Sequence, residues 1–510
     1  MSDTKEKQSF DNNCWPSGDS EAPCQQACPI GTDTNGYIMA IYMGDYDEAY
    51  RIIAENNPLP GVCSRVCHRP CEDECLRDKV EEPVDIRALK RFAVENASQE
   101  AKNKLPETEK KKDQKVAIVG SGPAGIAAAQ RLAVMGYGVT VFEKDSRLGG
   151  LLSTAIPSFI LPDEVLSEDL KRIEAMGVEF KTNTDINGKE GVDRLFSEGF
   201  SAVLLAFGAS DSTLLKEIDY SSEKIEPGLD FLRRMISNPD DKVSGKVAVI
   251  GGGNVATDVA RMCVRRGAGE VNIYAIEEKD MMPAFTVEKS RSEKEGVKIN
   301  GGWGFSDVKD EGGLLKITFS KVKEIKISET GAFTPILDNT ETCEYEADNL
   351  ILAVGQNVDQ NSLKGLSINL TPKGTIPADN LVVQSIPGVF TAGDVIIYPG
   401  TVTESMASGQ EAALAISAYL KGETTKPSAE KRPVRVVENI LSVLPQKNRM
   451  EMPEIEANVA KGSFEEVESG FSGATAKEEA SRCINCPRCG NCIMIKHQLC
   501  RDAATRLSVL

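Results

Sequence analysis

The residues best equipped for chemistry in this 510-residue sequence are its 14 cysteines, and they crowd the two ends. Seven lie in the first 75 residues (Cys14, Cys24, Cys28, Cys63, Cys67, Cys71 and Cys75) and five in the last 28 (Cys483, Cys486, Cys489, Cys492 and Cys500), leaving only Cys263 and Cys343 between. The pattern Cys24-x3-Cys28-Pro, then Cys63-x3-Cys67-x3-Cys71-x3-Cys75, supplies soft thiolates in numbers that suit iron–sulfur clusters. Zinc is the alternative, but a single zinc site uses only four of the seven. The C-terminal run Cys483-x2-Cys486-x2-Cys489-x2-Cys492, with Cys500 beyond, has the spacing of a [4Fe–4S] loop. Four of those five would hold one cluster, any one being spare, and a zinc knuckle is the rival. A disulfide framework belongs to small secreted chains rather than to the two ends of a long one. Only His68 and His497 are histidines, which nearly excludes histidine-rich metal sites and Ser-His-Asp hydrolysis.

Two glycine-rich turns carry the second chemistry. Gly120, Gly122 and Gly125 follow the buried-strand pattern Val116-Ala-Ile-Val and open an alanine-rich helix. Such glycines permit a tight turn, close approach of backbone to a pyrophosphate and tight helix–strand packing. A further strand, Val139-Thr-Val-Phe, then delivers Glu143 about twenty residues on, where a ribose hydroxyl needs an acceptor. The second turn, Gly251-Gly-Gly253-Asn254-Val-Ala256, is the same device with alanine in the third place. Two such units imply two dinucleotides, one held and one exchanged, as hydride transfer to a flavin requires.

Around these sites the elements fall into order. Residues 1–110 read as a helical iron–sulfur domain ending in a charged linker. Residues 111–240 and 358–421 alternate strand and helix as one dinucleotide domain, with 241–357 inserted as a second. Residues 422–480, rich in Pro, Lys and Glu, read as an extended linker, and 481–510 as the C-terminal cluster segment. The fold class is therefore α/β, with two Rossmann-like domains in a glutathione-reductase-like arrangement, a helical [4Fe–4S] domain before them and a ferredoxin-like cluster tail behind. A net charge of -18 repels nucleic acid and anionic membrane. It also suits solubility or a basic docking partner. No stretch approaches the roughly 20 apolar residues of a membrane helix, and the polar N-terminus carries no signal core. A cytoplasmic protein is expected.

The sequence resembles the small (beta) subunit of glutamate synthase and its relatives, among them the N-terminal half of dihydropyrimidine dehydrogenase and the large subunit of NADH-dependent ferredoxin:NADP oxidoreductase. The matching stretches are APCQQACP, NPLPGVCSRVCHRPCEDEC, Gly149-Gly-Leu-Leu with Ile156-Pro-Ser-Phe, Met282-Pro-Ala, Ala353-Val-Gly-Gln and Thr391-Ala-Gly-Asp. The resemblance implies FAD at the first turn and a nicotinamide dinucleotide at the second. It implies that Glu143 accepts from the FAD ribose and that Gly149, Gly150 and Leu151 line the flavin. It places Gly393 and Asp394 by the ribityl chain, and the Thr401 and Val402 amides at the flavin's pyrimidine edge. It also implies one cluster on Cys28, Cys67 and Cys71, and another on Cys24 and Cys75 with two upstream cysteines. Here the chain departs from the pattern: only Cys14 stands upstream, and the family's glutamine ligand falls at Lys90 or Arg91. One N-terminal cluster is therefore expected, two or three in all; seven cysteines cannot fill two sets of four, so a second N-terminal cluster would need water, another ligand or a partner.

NADPH-using relatives carry an arginine pair after the second strand of the nicotinamide domain. Here Ala275 and Ile276 occupy that place, followed by Glu277 and Glu278, and an acid accepts from a free 2′-hydroxyl but repels a 2′-phosphate. NAD(H) is expected, NADP(H) being open only if Arg261, Arg265 or Arg266 reaches round. No residue is assigned acid–base catalysis, since the chemistry is flavin-centred. The function expected is an electron-transfer flavoprotein subunit linking NAD(P)H, FAD and [4Fe–4S] clusters to a separate catalytic subunit or a ferredoxin, in a hetero-oligomer. The rivals are a scaffold subunit that keeps cofactors without turnover, an electron-bifurcating NADH:ferredoxin oxidoreductase subunit, and a self-contained reductase, which lacks a CxxC beside the flavin glycines.

Overall fold

A computed structural model of the chain describes residues 21–327, 333–366, 368, 370–371, 375–377, 386–396, 400–423 and 444–486. The chain divides into two compact units, one of residues 1–104, 426–453 and 470–510, the other of 105–425 and 454–469.

The first unit is helical: α1 (Pro23–Ala27), α2 (Thr34–Met43), α3 (Tyr46–Asn56), α4 (Pro60–Val66), α5 (Pro70–Asp73), α6 (Ile86–Asn96) and α7 (Gln99–Asn103). Its helices start where the sequence provides caps. Asp33, Asp45, Asp85 and Ser98 each accept the N–H three residues on, and a proline opens α1, α4 and α5. Tyr37, Ile38, Ile53, Leu89 and Phe92 form the core, and the short helices between them carry the cysteines.

The second unit runs β1 (Lys115–Val119), α8 (Pro123–Val134), β2 (Gly138–Phe142), α9 (Leu151–Thr154), α10 (Asp163–Ala175), β3 (Glu179–Lys181), α11 (Gly188–Ser197), β4 (Ala202–Leu205), β5 (Asp211–Ser212), β6 (Ile225–Pro227) and α12 (Gly228–Ser237). It continues through β7 (Lys246–Ile250), α13 (Asn254–Arg265), β8 (Glu270–Ala275), α14 (Thr286–Lys294), β9 (Lys298–Gly301), β10 (Trp303–Glu311), β11 (Leu314–Ile327), β12 (Phe333–Ala347), β13 (Asn349–Leu352), β14 (Gln356–Asn357), β15 (Val389–Thr391) and α15 (Val402–Lys421). One parallel sheet has the order β15-β4-β1-β2-β3 and the other β6-β13-β7-β8-β9. Strands β1, β4, β7 and β13 are buried along nearly their whole length, as strands covered on both faces must be. The antiparallel meander β10-β11-β12 packs on the second sheet, with Tyr274 and Phe319 stacked at 3.8 Å. Where the chain leaves the first sheet and where it returns, β5 and β14 pair antiparallel. Each glycine turn follows a strand flanked on one side by the next strand of the chain and on the other by a strand that returns later, the switch point at which such sheets bind ligands.

Two features depart from the sequence reading. The second sheet begins before residue 241, because β6 and α12 already belong to it; a three-residue edge strand containing proline shows no alternation to read. The stretch 422–480 is also more than a linker. Residues 454–469 close against the second unit: Val467 donates to the Phe159 carbonyl at 3.0 Å, and Ala460 and Val467 are buried. Here α16 (Ala457–Ala460) makes a single turn. Residues 470–486 belong to the first unit, where α17 (Gly473–Ala480) packs on α2 and α6. Neither segment is long enough to display an amphipathic period. Among the described residues no helix is long and apolar enough to cross a membrane.

Candidate functional site: two dinucleotide cradles and two groups of cysteines

At the first turn the glycines divide by role. Gly120 has φ +104, and a Cβ there would stand 2.5 Å from the Ala206 carbonyl; one on Gly125 would stand 2.1 Å from the Gly120 carbonyl. Both are pressed by backbone, whereas a Cβ on Gly122 would meet nothing within 4 Å. The middle glycine thus faces an open cradle at the N-terminus of α8, where a phosphate is favoured. Gly150, at φ +57 and ψ -133, comes against the Gly122 Cα, so Gly149, Gly150 and Leu151 sit beside the turn. The buried Glu143 ties this geometry together. One of its oxygens accepts from the Ser121 N–H at 3.0 Å and hydroxyl at 2.6 Å, the other from the Asp145 N–H at 3.0 Å. A carboxylate has lone pairs left for a ribose hydroxyl.

The late elements close on the same place. Gly393 packs on Ala124, and Gly409 of α15 lies so close to the Ala124 carbonyl that a Cβ would stand 2.1 Å from it. Asp394 accepts from the Ser405 hydroxyl at 2.9 Å; burial pushes its pKa above the ordinary aspartate value and Glu404 adds to that. Thr401 differs from expectation in one respect. Its N–H donates to the Glu404 carboxylate at 2.8 Å while its hydroxyl accepts from the Glu404 N–H, a capping box. The Thr401 amide is thereby turned to its own helix, and Val402 begins α15.

The second turn repeats the plan with one change. Gly251 is pressed by the Ala353 carbonyl, Gly253 faces open space and Ala256 is fully buried. Asn254 opens α13, and its side chain accepts from the Phe285 N–H at 2.9 Å, fixing the loop after β8. The acid, Glu277, lies over Gly252, and its Oε2 is buried with no hydrogen-bond partner. Burial raises its pKa above the ordinary glutamate value. An orphaned buried acceptor beside an open cradle fits an incoming ribose hydroxyl. The arginines that could have served a phosphate are engaged elsewhere. Arg261 and Arg265 bind Glu295, and Arg266 donates to the Met235 and Pro239 carbonyls. Glu278 pairs with Lys321 at 3.1 Å. Cys263 is fully buried core.

In the helical unit the described cysteines form no disulfides. Around the buried Lys90 stand Cys67, Cys63, Cys28 and Cys71. Burial works against its ammonium, but these sulfurs more than offset that and hold the pKa above the lysine value. Arg91 turns the other way, to Glu95 at 2.8 Å. The Arg69 N–H donates to Cys67 Sγ at 3.5 Å from a left-handed residue, φ 67. The neighbours of Cys24 are different: Cys75, Cys483 and Cys486. The resemblance groups Cys28, Cys67 and Cys71; here Cys63 stands with them around Lys90, and the neighbours of Cys24 include Cys483 and Cys486 from the far end of the chain, which nothing in the local sequence signals. Cys489, Cys492 and Cys500 lie outside the described residues. Among those described, no three His, Cys, Asp or Glu side chains converge tightly enough for a single metal ion, whereas a four-iron cluster spreads its thiolates over the corners of a cube.

Two parallel sheets with a glycine cradle each, one inserted in the other, define a reductase with two dinucleotide domains. The chain belongs to the pyridine nucleotide-disulphide oxidoreductase family, which residues 114–413 match. Residues 8–102 match dihydropyrimidine dehydrogenase domain II, 4Fe-4S cluster. It is 33% identical to the NADP(+)-dependent formate dehydrogenase subunit beta of Moorella thermoacetica, covering 93% of this chain and 71% of that one. It is 36% identical to the NAD-dependent dihydropyrimidine dehydrogenase subunit PreT of Escherichia coli (strain K12), covering 79% and 92%. Mycobacterium tuberculosis FprA in complex with NADPH shares the fold, with TM-score 0.52 and 18% identity over 61% of this chain and 85% of that one. The protein is an NAD(P)H-dependent FAD and iron–sulfur oxidoreductase.

Proposed function

We propose that this chain is the electron-input subunit of a larger oxidoreductase, drawing on NADH in preference to NADPH and serving a separate catalytic subunit or a ferredoxin. FAD, when bound, supplies the exchange between a two-electron hydride and the single electrons that clusters carry. The chain's own residues position and insulate. Gly122 and Gly150 let backbone approach the first dinucleotide, Glu143 holds that turn rigid, and Asp394 with the first turn of α15 closes the site from the other side. Names among the relatives include both NAD and NADP, so the nicotinamide is argued from this chain. Glu277 carries that reading: a buried carboxylate oxygen without a partner accepts a 2′-hydroxyl and repels a 2′-phosphate. Anaerobic stopped-flow mixing should bleach the flavin with NADH, and kcat/KM should favour NADH over NADPH by at least about tenfold, one charge-assisted hydrogen bond's worth. A preference for NADPH overturns the choice of nicotinamide; failure of either nucleotide to bleach the flavin favours a scaffold subunit.

A further inference from the structure

The eight described cysteines of the helical unit fall into two fours, and the second four is drawn from opposite ends of the chain. We infer that Cys24, Cys75, Cys483 and Cys486 together ligate one [4Fe–4S] cluster, so that the C-terminal segment completes the N-terminal domain's second site instead of carrying an independent ferredoxin loop. The inference rests on the iron–sulfur reading of the chain and replaces the missing upstream ligands with thiols from about 400 residues away in sequence.

The four thiols line one cavity, with Asn35 and Arg77 among its walls. Asn35 joins the two chain ends directly. Its side-chain oxygen accepts from Cys24 Sγ at 3.2 Å, while its amide donates to the Cys486 carbonyl at 2.6 Å and to Asn485 Oδ1 at 3.4 Å. Asn485 holds a left-handed backbone, φ 53, which swings Cys486 back toward Cys24. Upstream, the returning segment is anchored by groups that are costly to bury and therefore specify register. The fully buried Arg482 binds Glu479 at 2.7 Å and Glu81 at 3.1 Å and donates to the Glu82, Pro83 and Lys447 carbonyls. Glu479 in turn accepts the Asp85 and Met450 N–H groups. A tail passing by chance has no need of such a clamp. Four thiols lining one cavity, held from both chain ends by buried hydrogen bonds and ion pairs, form a site of the ligand number and type that a [4Fe–4S] cluster takes. Cys28, Cys63, Cys67 and Cys71 are the complementary four around Lys90. Both cysteine sets are then complete without water, a foreign ligand or a partner.

The test is a non-additivity experiment on the anaerobically purified full chain, read by iron content, flavin content and the paramagnetic signals of the dithionite-reduced protein. The Cys24→Ser/Cys75→Ser pair and the Cys483→Ser/Cys486→Ser pair should each lose about four irons per chain and the same signal, with FAD retained. The quadruple variant should lose no more than either pair. A quadruple variant that loses about eight irons overturns the inference, as does stoichiometric zinc in the wild-type site. So does a Cys489→Ser/Cys492→Ser variant that abolishes the signal governed by Cys483 while the Cys24 pair leaves it intact. Wild-type protein with no iron at all would instead defeat the iron–sulfur reading. Should the variants fold poorly, alkylation of wild-type holoprotein decides. The four thiols should be protected together and exposed together on chelation, and Cys483 and Cys486 reacting while Cys24 and Cys75 stay protected overturns the assignment.

Discussion

The two glycine turns share strand, helix and spacing, yet their acids are in different states. Glu143 is already partnered from within: Ser121 and Asp145 engage both oxygens, and the turn is braced before any ligand arrives. Glu277 lies over its turn with one oxygen orphaned. A prepaid network suits a ligand that stays, because little is left to reorganise; an unsatisfied acceptor suits one that comes and goes, because the ligand itself supplies the missing donor.

The strongest way to break that comparison is to remove each acid. Glu143→Ala strands two amides and a hydroxyl in the interior, so the apo chain should lose about 3 kcal/mol in denaturant unfolding and be purified largely without flavin. Glu277→Ala strands nothing, so apo stability should stay within about 0.5 kcal/mol, with flavin retained and KM for NADH raised roughly tenfold or more. If the two variants behave alike, the turns are not differentiated. Bulk separates them next. Because Gly122 and Gly253 face open space, Gly122→Val should lose flavin and Gly253→Val should keep flavin while losing NADH-driven bleaching. Both should melt near the wild-type temperature.

A subtler contrast comes from pH. Burial raises the Glu277 pKa, so the folded apo chain holds that proton more tightly than the unfolded chain. The stabilisation this gives is full below the ordinary glutamate pKa and fades as pH climbs through the raised value. Glu277→Gln should flatten that part of the stability profile. A donated ribose hydroxyl favours the ionised form, so nucleotide binding should release protons, seen as buffer-dependent heat in calorimetry and absent from the Gln variant. The smallest effect belongs to α15. Thr401→Ala removes one half of its capping box and should cost about 1 kcal/mol, with the flavin retained.

Much of this was written in local sequence. Gly120, Gly122 and Gly125 follow an apolar strand and precede an alanine-rich helix because a tight turn, an open cradle and a close helix each demand a missing side chain at a fixed offset. Glu143 and Glu277 stand one strand later for the same reason. The crowding of the N-terminal cysteines was equally legible, from their number and their x3 spacing. What the sequence could not decide was partnership across distance. Nothing local tells Cys483 and Cys486 that Cys24 and Cys75 are their neighbours. That follows from the burial of Arg482 and the seating of α17 on α2 and α6, interactions between residues separated by nearly the whole chain. Nor could it show that Glu143 is occupied and Glu277 is not, or that Arg261, Arg265 and Arg266 are all spent on Glu295 and backbone carbonyls. Residue types set which chemistry is available here; tertiary packing alone decided which donors and thiols were left to perform it.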